Sequence, residues 1–312
     1  MRTAEDTIYI LGAGAVGFPL AVFLANARRR VVAVRTSRED VAQSAVAVSV
    51  HDGDQRVTAS VDTVSLSRLS SLKGTIVVTA KAQANGTIAR QLQDKGVSGP
   101  VVLMQNGLGI EKPFLDFHFW PIYRCVLYLT SQARSENAFT FRPVSASAMG
   151  VVRGDTAGLE TCIQELTTEE FPFRAEANIE REVWKKVIIN SVFNSICPLL
   201  DIDNGIFARD EAVAKLAREI VGECIALTTR LDMGLSEEEI VQQLMRVSRG
   251  SEGQLISTLQ DMRSGRETEI EFLNLAIARV GAAMQPAVVL PRTEMLGRMV
   301  LAKSLQHRGR ES

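Results

Sequence analysis

The chain is poor in the side chains that build disulfide scaffolds and metal centres. Its 312 residues hold four Cys and three His. Cys125, Cys162, Cys197 and Cys224 are widely spaced with no CxxC pair, and His51, His118 and His307 do not cluster with them. This spacing argues against a disulfide framework and a zinc site, and it points to reduced thiols in a cytoplasmic protein. So few His leave little room for His-centred acid–base chemistry. An excess of either charge is also missing, with 35 Lys+Arg against 36 Asp+Glu. Residues 1–176 carry 18 basic and 17 acidic side chains, the remainder 17 and 19. Neither part has the cationic surplus that nucleic acid or an anionic membrane surface requires. With 46% hydrophobic residues at a net charge of -1, the chain has ample material for a packed core. Lysine is scarce too, eight of the 35 cations, so each Lys is worth locating.

One uncharged run, residues 7–27, is followed by Arg28-Arg29-Arg30 and has the look of a signal anchor. Glu5-Asp6 before it, and the three Gly and one Pro within it, argue against a membrane span. The same apolar density arises in a dinucleotide-binding unit. Thr7–Leu11 is a β-branched apolar run, Gly12-Ala13-Gly14-Ala15-Val16-Gly17 follows at once, a helical stretch runs to about Ala27, and Val31–Val34 forms a second strand. Strand, GxGxxG, helix and strand within about 30 residues is the context that gives the motif its meaning. Gly12 permits the tight turn, Gly14 admits a pyrophosphate to the backbone N–H groups, and Gly17 lets helix and strand approach. The helix N-terminus then favours the phosphates. Where a carboxylate would hold the ribose 2′-hydroxyl of NAD, this chain has Arg35, Thr36, Ser37 and Arg38. A guanidinium with hydroxyls suits a 2′-phosphate, so the cofactor expected is NADP(H).

Alternation continues with strands expected near 45–50, 56–61, 74–80, 100–104, 122–130, 137–142 and 146–152. Helices are expected near 84–95 and 157–168, and a short strand near 171–174. The pattern predicts a mostly parallel sheet with ligands at the carboxyl ends of its strands. Lys81 and Asn106 each fall just past such an end. From about Asn178 the β signals stop and helices run to about Lys303. The expected architecture is therefore an α/β Rossmann-like domain over 1–176 and an all-α domain over 177–312. In Trp184–Pro198 (WKKVIINSVFNSICP), Lys186, Asn190 and Asn194 stand four residues apart on one helix face. Val187, Ile188, Ile189, Val192, Phe193 and Ile196 fill the other directions, so the helix should be buried and the polar row should line an internal cleft. A desolvated Lys there is suited to proton transfer. Ser257 and Glu269 form a second, weaker constellation whose residue types also suit helix caps.

GAGAVG at 12–17, Arg35, the TAKAQ and MQNGLG segments around Lys81 and Asn106, WKKVIINSVFN, and STLQD…TEIEFLN together resemble the ketopantoate reductase (2-dehydropantoate 2-reductase) family, nearly end to end. The resemblance implies a Rossmann domain plus a helical domain, with NADPH and a small anionic 2-oxo acid in the cleft between them. It implies that Lys186 is the general acid and Glu269 its partner, contacting substrate and cofactor. Asn106, Asn190, Asn194 and Ser257 would bind substrate, and Lys81 and Asn106 would stand at the cofactor–substrate junction. Gln254 takes the position of a substrate-binding Asn, Arg29-Arg30 replace a Gly-His, and Gln285–Pro291 carries two Pro in a longer segment. The expected activity is cytoplasmic, NADPH-dependent reduction of ketopantoate to pantoate, a step of pantothenate biosynthesis. A related reductase of another 2-oxo acid or ketone, and a non-catalytic NADP(H) sensor, are the alternatives. The apolar helices beyond residue 205 offer a face on which two copies could pair as a homodimer.

Overall fold

The computed structural model describes residues 7–37, 42–53 and 55–308, so Arg38 lies outside the described residues. The chain divides into two compact units, one of residues 1–105 and 110–179, the other of 106–109 and 180–312.

The first unit opens with β1 (Thr7–Leu11), α1 (Gly17–Asn26), β2 (Arg30–Arg35), β3 (Ser44–Asp52), β4 (Gln55–Ser65), β5 (Gly74–Val78), α2 (Asn85–Asp94) and β6 (Val101–Leu103). It continues with α3 (Lys112–Asp116), β7 (Ile122–Val126), β8 (Leu129–Ser135), β9 (Ala138–Pro143), β10 (Ser147–Arg153), α4 (Thr156–Leu166) and β11 (Phe173–Ala175). The strands form one sheet in the order β11-β10-β7-β6-β5-β1-β2-β4-β3-β9-β8. Its centre, β7-β6-β5-β1-β2-β4, is parallel throughout. The uninterrupted apolar runs of β1, β5 and β6 fit strands covered on both faces.

The single strand expected over 122–130 is two. It breaks at Leu127-Tyr128, and β7 and β8 join opposite halves of the sheet. Tyr128 holds the corner. Its carbonyl accepts from Val144 N at 2.9 Å and its N–H donates to Ser147 Oγ at 3.2 Å. The β8–β9 hairpin thereby reaches β3, to which β9 pairs in parallel through Ser49↔Ala138 and Val50↔Phe139. The core beneath it is aromatic. Phe18 and Phe23 of α1 meet Phe139 and Phe141 at ring distances of 5.6 and 5.0 Å, and Phe141 meets Phe171 at 5.1 Å. This explains why Phe18 to Leu24 of α1 are all buried.

The second unit is built on α5 (Ile179–Leu200), whose first residue belongs to the first unit. It is followed by α6 (Ile206–Arg209), α7 (Glu211–Arg230), α8 (Glu237–Gly250), α9 (Ser257–Arg263), α10 (Asn274–Ala283) and α11 (Pro291–Arg308). Val187, Ile188, Val192, Phe193, Ile196 and Cys197 bury α5 on most of its circumference. Asp210 and Ser236 cap α7 and α8 through their side chains. No helix among the described residues is long and apolar enough to cross a membrane.

Candidate active site

The glycine turn is tied to its surroundings by backbone. Gly12 N donates to Val34 O at 2.9 Å, while Thr79 N and Ala80 N both donate to Leu11 O at 2.8 Å. Thr79 Oγ1 adds a 2.8 Å bond to Gly12 O, an anchor that the motif alone does not reveal. Gly12 has φ 120°, and a Cβ there would collide with the Ala80 backbone. A Cβ on Gly17 would collide with the Gly12 carbonyl. Gly14 is different, because a Cβ there would meet nothing within 4 Å and the residue is exposed. The protein's own packing thus accounts for the outer glycines, while a Cβ on the middle one would stand in open space. Helix α1 begins with no side-chain cap and no acidic residue in its first turn, so its N-terminal dipole is not offset locally. Ala13, Ala15 and Val16 are half-buried along the turn. Ser131 of β8 donates to the Ala15 carbonyl and pins the far side of the loop. These features fit a dinucleotide pyrophosphate.

Arg35 closes β2 with its guanidinium 5.6 Å from the Phe18 ring centroid and Nη2 3.6 Å from Glu136 Oε1. Lys81 is half-buried just beyond β5, at the start of a short 3₁₀ turn over Ala82–Ala84. Past the end of β6, buried Asn85 holds both flanks of the Asn106 loop. Its Oδ1 accepts from Gln105 Nε2 at 2.6 Å, and its Nδ2 donates to Ile110 O at 2.9 Å. Neither Asn85 nor Gln105 stands out in the sequence. Residues 106–109 group with the helical unit, where Leu108 N donates to Phe272 O at 2.9 Å, three residues past Glu269.

In that unit the polar row of α5 grades inward. Lys186 and Asn190 are half-buried and Asn194 is 2% exposed. The neighbouring Lys185 is engaged elsewhere. It donates to Glu239 Oε1 at 2.8 Å, and Arg181 donates to Oε2 at 2.6 Å. Burial raises the Glu239 pKa, but these two cations outweigh it and hold the group below its ordinary value. Asn194 and Ser257 are brought together, with Ser257 Oγ donating to Asn194 Oδ1 at 3.2 Å. Glu269 is half-buried at the head of a 3₁₀ turn over Ile270–Phe272. Gln254 is half-buried on the loop before α9, and its carbonyl accepts from Asn204 N at 2.9 Å. Asp203 anchors that loop, accepting from Gly253 N at 3.1 Å and Gly205 N at 2.7 Å. Hydrogen bonds from Arg209 dominate burial there and hold the Asp203 carboxyl far below the usual range.

Residues 8–146 match the family described as ketopantoate reductase PanE/ApbA, and residues 178–304 match its C-terminal part. A 2-dehydropantoate 2-reductase of Streptococcus pyogenes serotype M3 is 25% identical over 309 residues, covering 95% of this chain and 97% of the relative. Among solved structures, D-mandelate dehydrogenase with NADH and anilino(oxo)acetate aligns with a TM-score of 0.87 at 21% identity, over 96% of this chain and 99% of the other. A PanE/ApbA family ketopantoate reductase from Ralstonia eutropha JMP134 aligns at 0.84 and 19%, over 97% and 99%.

Proposed function

The chain belongs to the ketopantoate reductase PanE/ApbA family, a family of oxidoreductases acting on CH–OH groups, and we propose that it reduces a small 2-oxo acid to the 2-hydroxy acid with NADPH. The substrate proposed first is 2-dehydropantoate. The observation that carries the reading is Lys186. It is a half-buried cation that shares one face of α5 with Asn190 and Asn194, on a helix whose middle turns are buried by Val187, Ile188, Val192 and Phe193. Gly12–Gly17 at the N-terminus of α1 would hold the pyrophosphate, and Arg35 would receive the 2′-phosphate.

A reduced nicotinamide, when bound, supplies the hydride for the carbonyl carbon. The Lys186 ammonium stabilises negative charge growing on the carbonyl oxygen and donates the proton that completes the hydroxyl, then recovers a proton from water. Glu269 is its partner in this scheme. Asn106, Asn190 and Ser257 orient the substrate, while Asn194 holds Ser257 in place. Lys81 adds positive charge beside the cofactor.

A second reading keeps the chemistry and changes the acid. Gln254 is one methylene longer than the Asn that the family resemblance leads one to expect, which favours a substrate of different shape. NADPH oxidation with a panel of 2-oxo acids tests both. Turnover of 2-dehydropantoate supports the first reading. Turnover of another 2-oxo acid alone supports the second. No turnover with any member overturns the reductase assignment.

A further inference from the structure

We propose that Glu136, on the turn between β8 and β9, sets the cofactor preference by competing with the 2′-phosphate for Arg35. The proposal rests on the reading of Arg35 as the 2′-phosphate partner. Arg35 is 14% exposed in its side chain and lies over the Phe18 ring, so much of its hydration has been exchanged for an aromatic face. A guanidinium in that position gains from a counter-charge. Glu136 Oε1 supplies one at 3.6 Å from a side chain that is 58% exposed. With a cofactor lacking the 2′-phosphate, the pair persists and Arg35 keeps its counter-charge. With the phosphate present, the carboxylate is a like charge beside a dianion and must move away or oppose it. The carboxylate therefore tolerates NADH and subtracts from the affinity for NADPH. Sequence position gives no hint of this role, because Glu136 is brought beside Arg35 by tertiary contacts, the pairing of β9 with β3 and the packing of Phe139 on Phe18.

The test uses the full chain and two cofactor fragments, 2′,5′-ADP and 5′-AMP, whose binding is measured by calorimetry without any substrate. Glu136→Gln should tighten 2′,5′-ADP by about two- to fivefold at low salt, the scale of one exposed charge pair, and leave 5′-AMP unchanged or slightly weaker. The gain should shrink as ionic strength rises to about 1 M, where the screening length is about 3 Å. Glu136→Lys should widen the discrimination further. An unchanged or smaller preference for 2′,5′-ADP in Glu136→Gln overturns the proposal, as does a gain that survives high salt undiminished. Arg35→Ala separates this from the reading beneath it. If that variant discriminates between the fragments as the wild type does, Arg35 does not read the phosphate at all.

Discussion

Asn194 on α5 accepts the hydroxyl hydrogen of Ser257 across 63 residues of sequence, and the same Oδ1 atom accepts the Thr258 backbone N–H at 3.3 Å. The residue preceding α9 is Ile256, which has no side chain able to cap the helix. Asn194 supplies the missing acceptor from a neighbouring helix, and its Nδ2 donates to Asn190 O at 2.9 Å. The amide oxygen is thus engaged twice within the protein, and one N–H of the amide nitrogen is engaged as well. The bond from Ser257 fixes where its hydroxyl stands relative to α5.

Asn194→Ala should therefore cost stability as well as rate. Loss of a buried acceptor leaves the Thr258 N–H without it, at about 1–3 kcal/mol. Ser257→Ala removes only one of the two bonds and should cost less. A double-mutant cycle read by urea denaturation should give a coupling of about 0.5–1.5 kcal/mol between the two positions. Strict additivity would show that the bond contributes nothing.

Lys186 and Lys185 are adjacent and should behave oppositely. Lys186→Ala should lower kcat by about 10²–10⁴, the usual size of a lost general acid. Lys185→Met breaks half of the Glu239 pairing and should lower the thermal midpoint while keeping kcat. Steady-state kinetics beside differential scanning calorimetry checks both. If Lys186→Ala keeps the wild-type rate, the proton donor has been misassigned.

Much of this was legible from residues alone, for a local reason. The β1–turn–α1–β2 unit declares itself because its strand, glycines and helix lie within about 30 residues and each has a steric role. That Lys186, Asn190 and Asn194 share one face of α5 followed from helical period. The period could not separate the three, because the burial of Asn194 depends on α9, which is remote in sequence. The same remoteness hid the docking of the β8–β9 hairpin beside β3 and with it the place of Glu136, and it hid Asn85, whose partners Gln105 and Ile110 lie 20 and 25 residues away. Side chains whose role is to connect segments carry no periodic mark.

Asp203 should make the helical unit sensitive to acid. Its folded-state pKa is depressed, chiefly by hydrogen bonds from Arg209 at 2.8 and 3.0 Å. A depressed carboxyl contributes stability that is fully present above its unfolded value of about 4 and lost as pH falls through the folded value. Asp203→Asn should thus be less stable than the wild type by a constant margin near neutral pH, and the margin should narrow below about pH 4. Denaturant midpoints across that range provide the measurement. A margin that widens on acidification would have the wrong sign for this group.

The three glycines of the turn should separate into two that serve the fold and one that serves the ligand. Gly12 and Gly17 are forced by contacts with Ala80 and with the Gly12 carbonyl, so Gly12→Ala and Gly17→Ala must displace backbone. Each should destabilise by roughly 1–3 kcal/mol, as overpacked sites do. Gly14 meets nothing within 4 Å and is free of a left-handed φ, so Gly14→Ala should leave the thermal midpoint unchanged. If the proposed pyrophosphate site is right, the added methyl intrudes on it, and NADPH affinity, followed by nucleotide fluorescence, should fall by at least about tenfold, the scale of one lost charge-assisted contact. A Gly14→Ala protein that binds NADPH as the wild type does would mean that the open backbone at α1 holds no phosphate, and the cofactor assignment would have to move elsewhere.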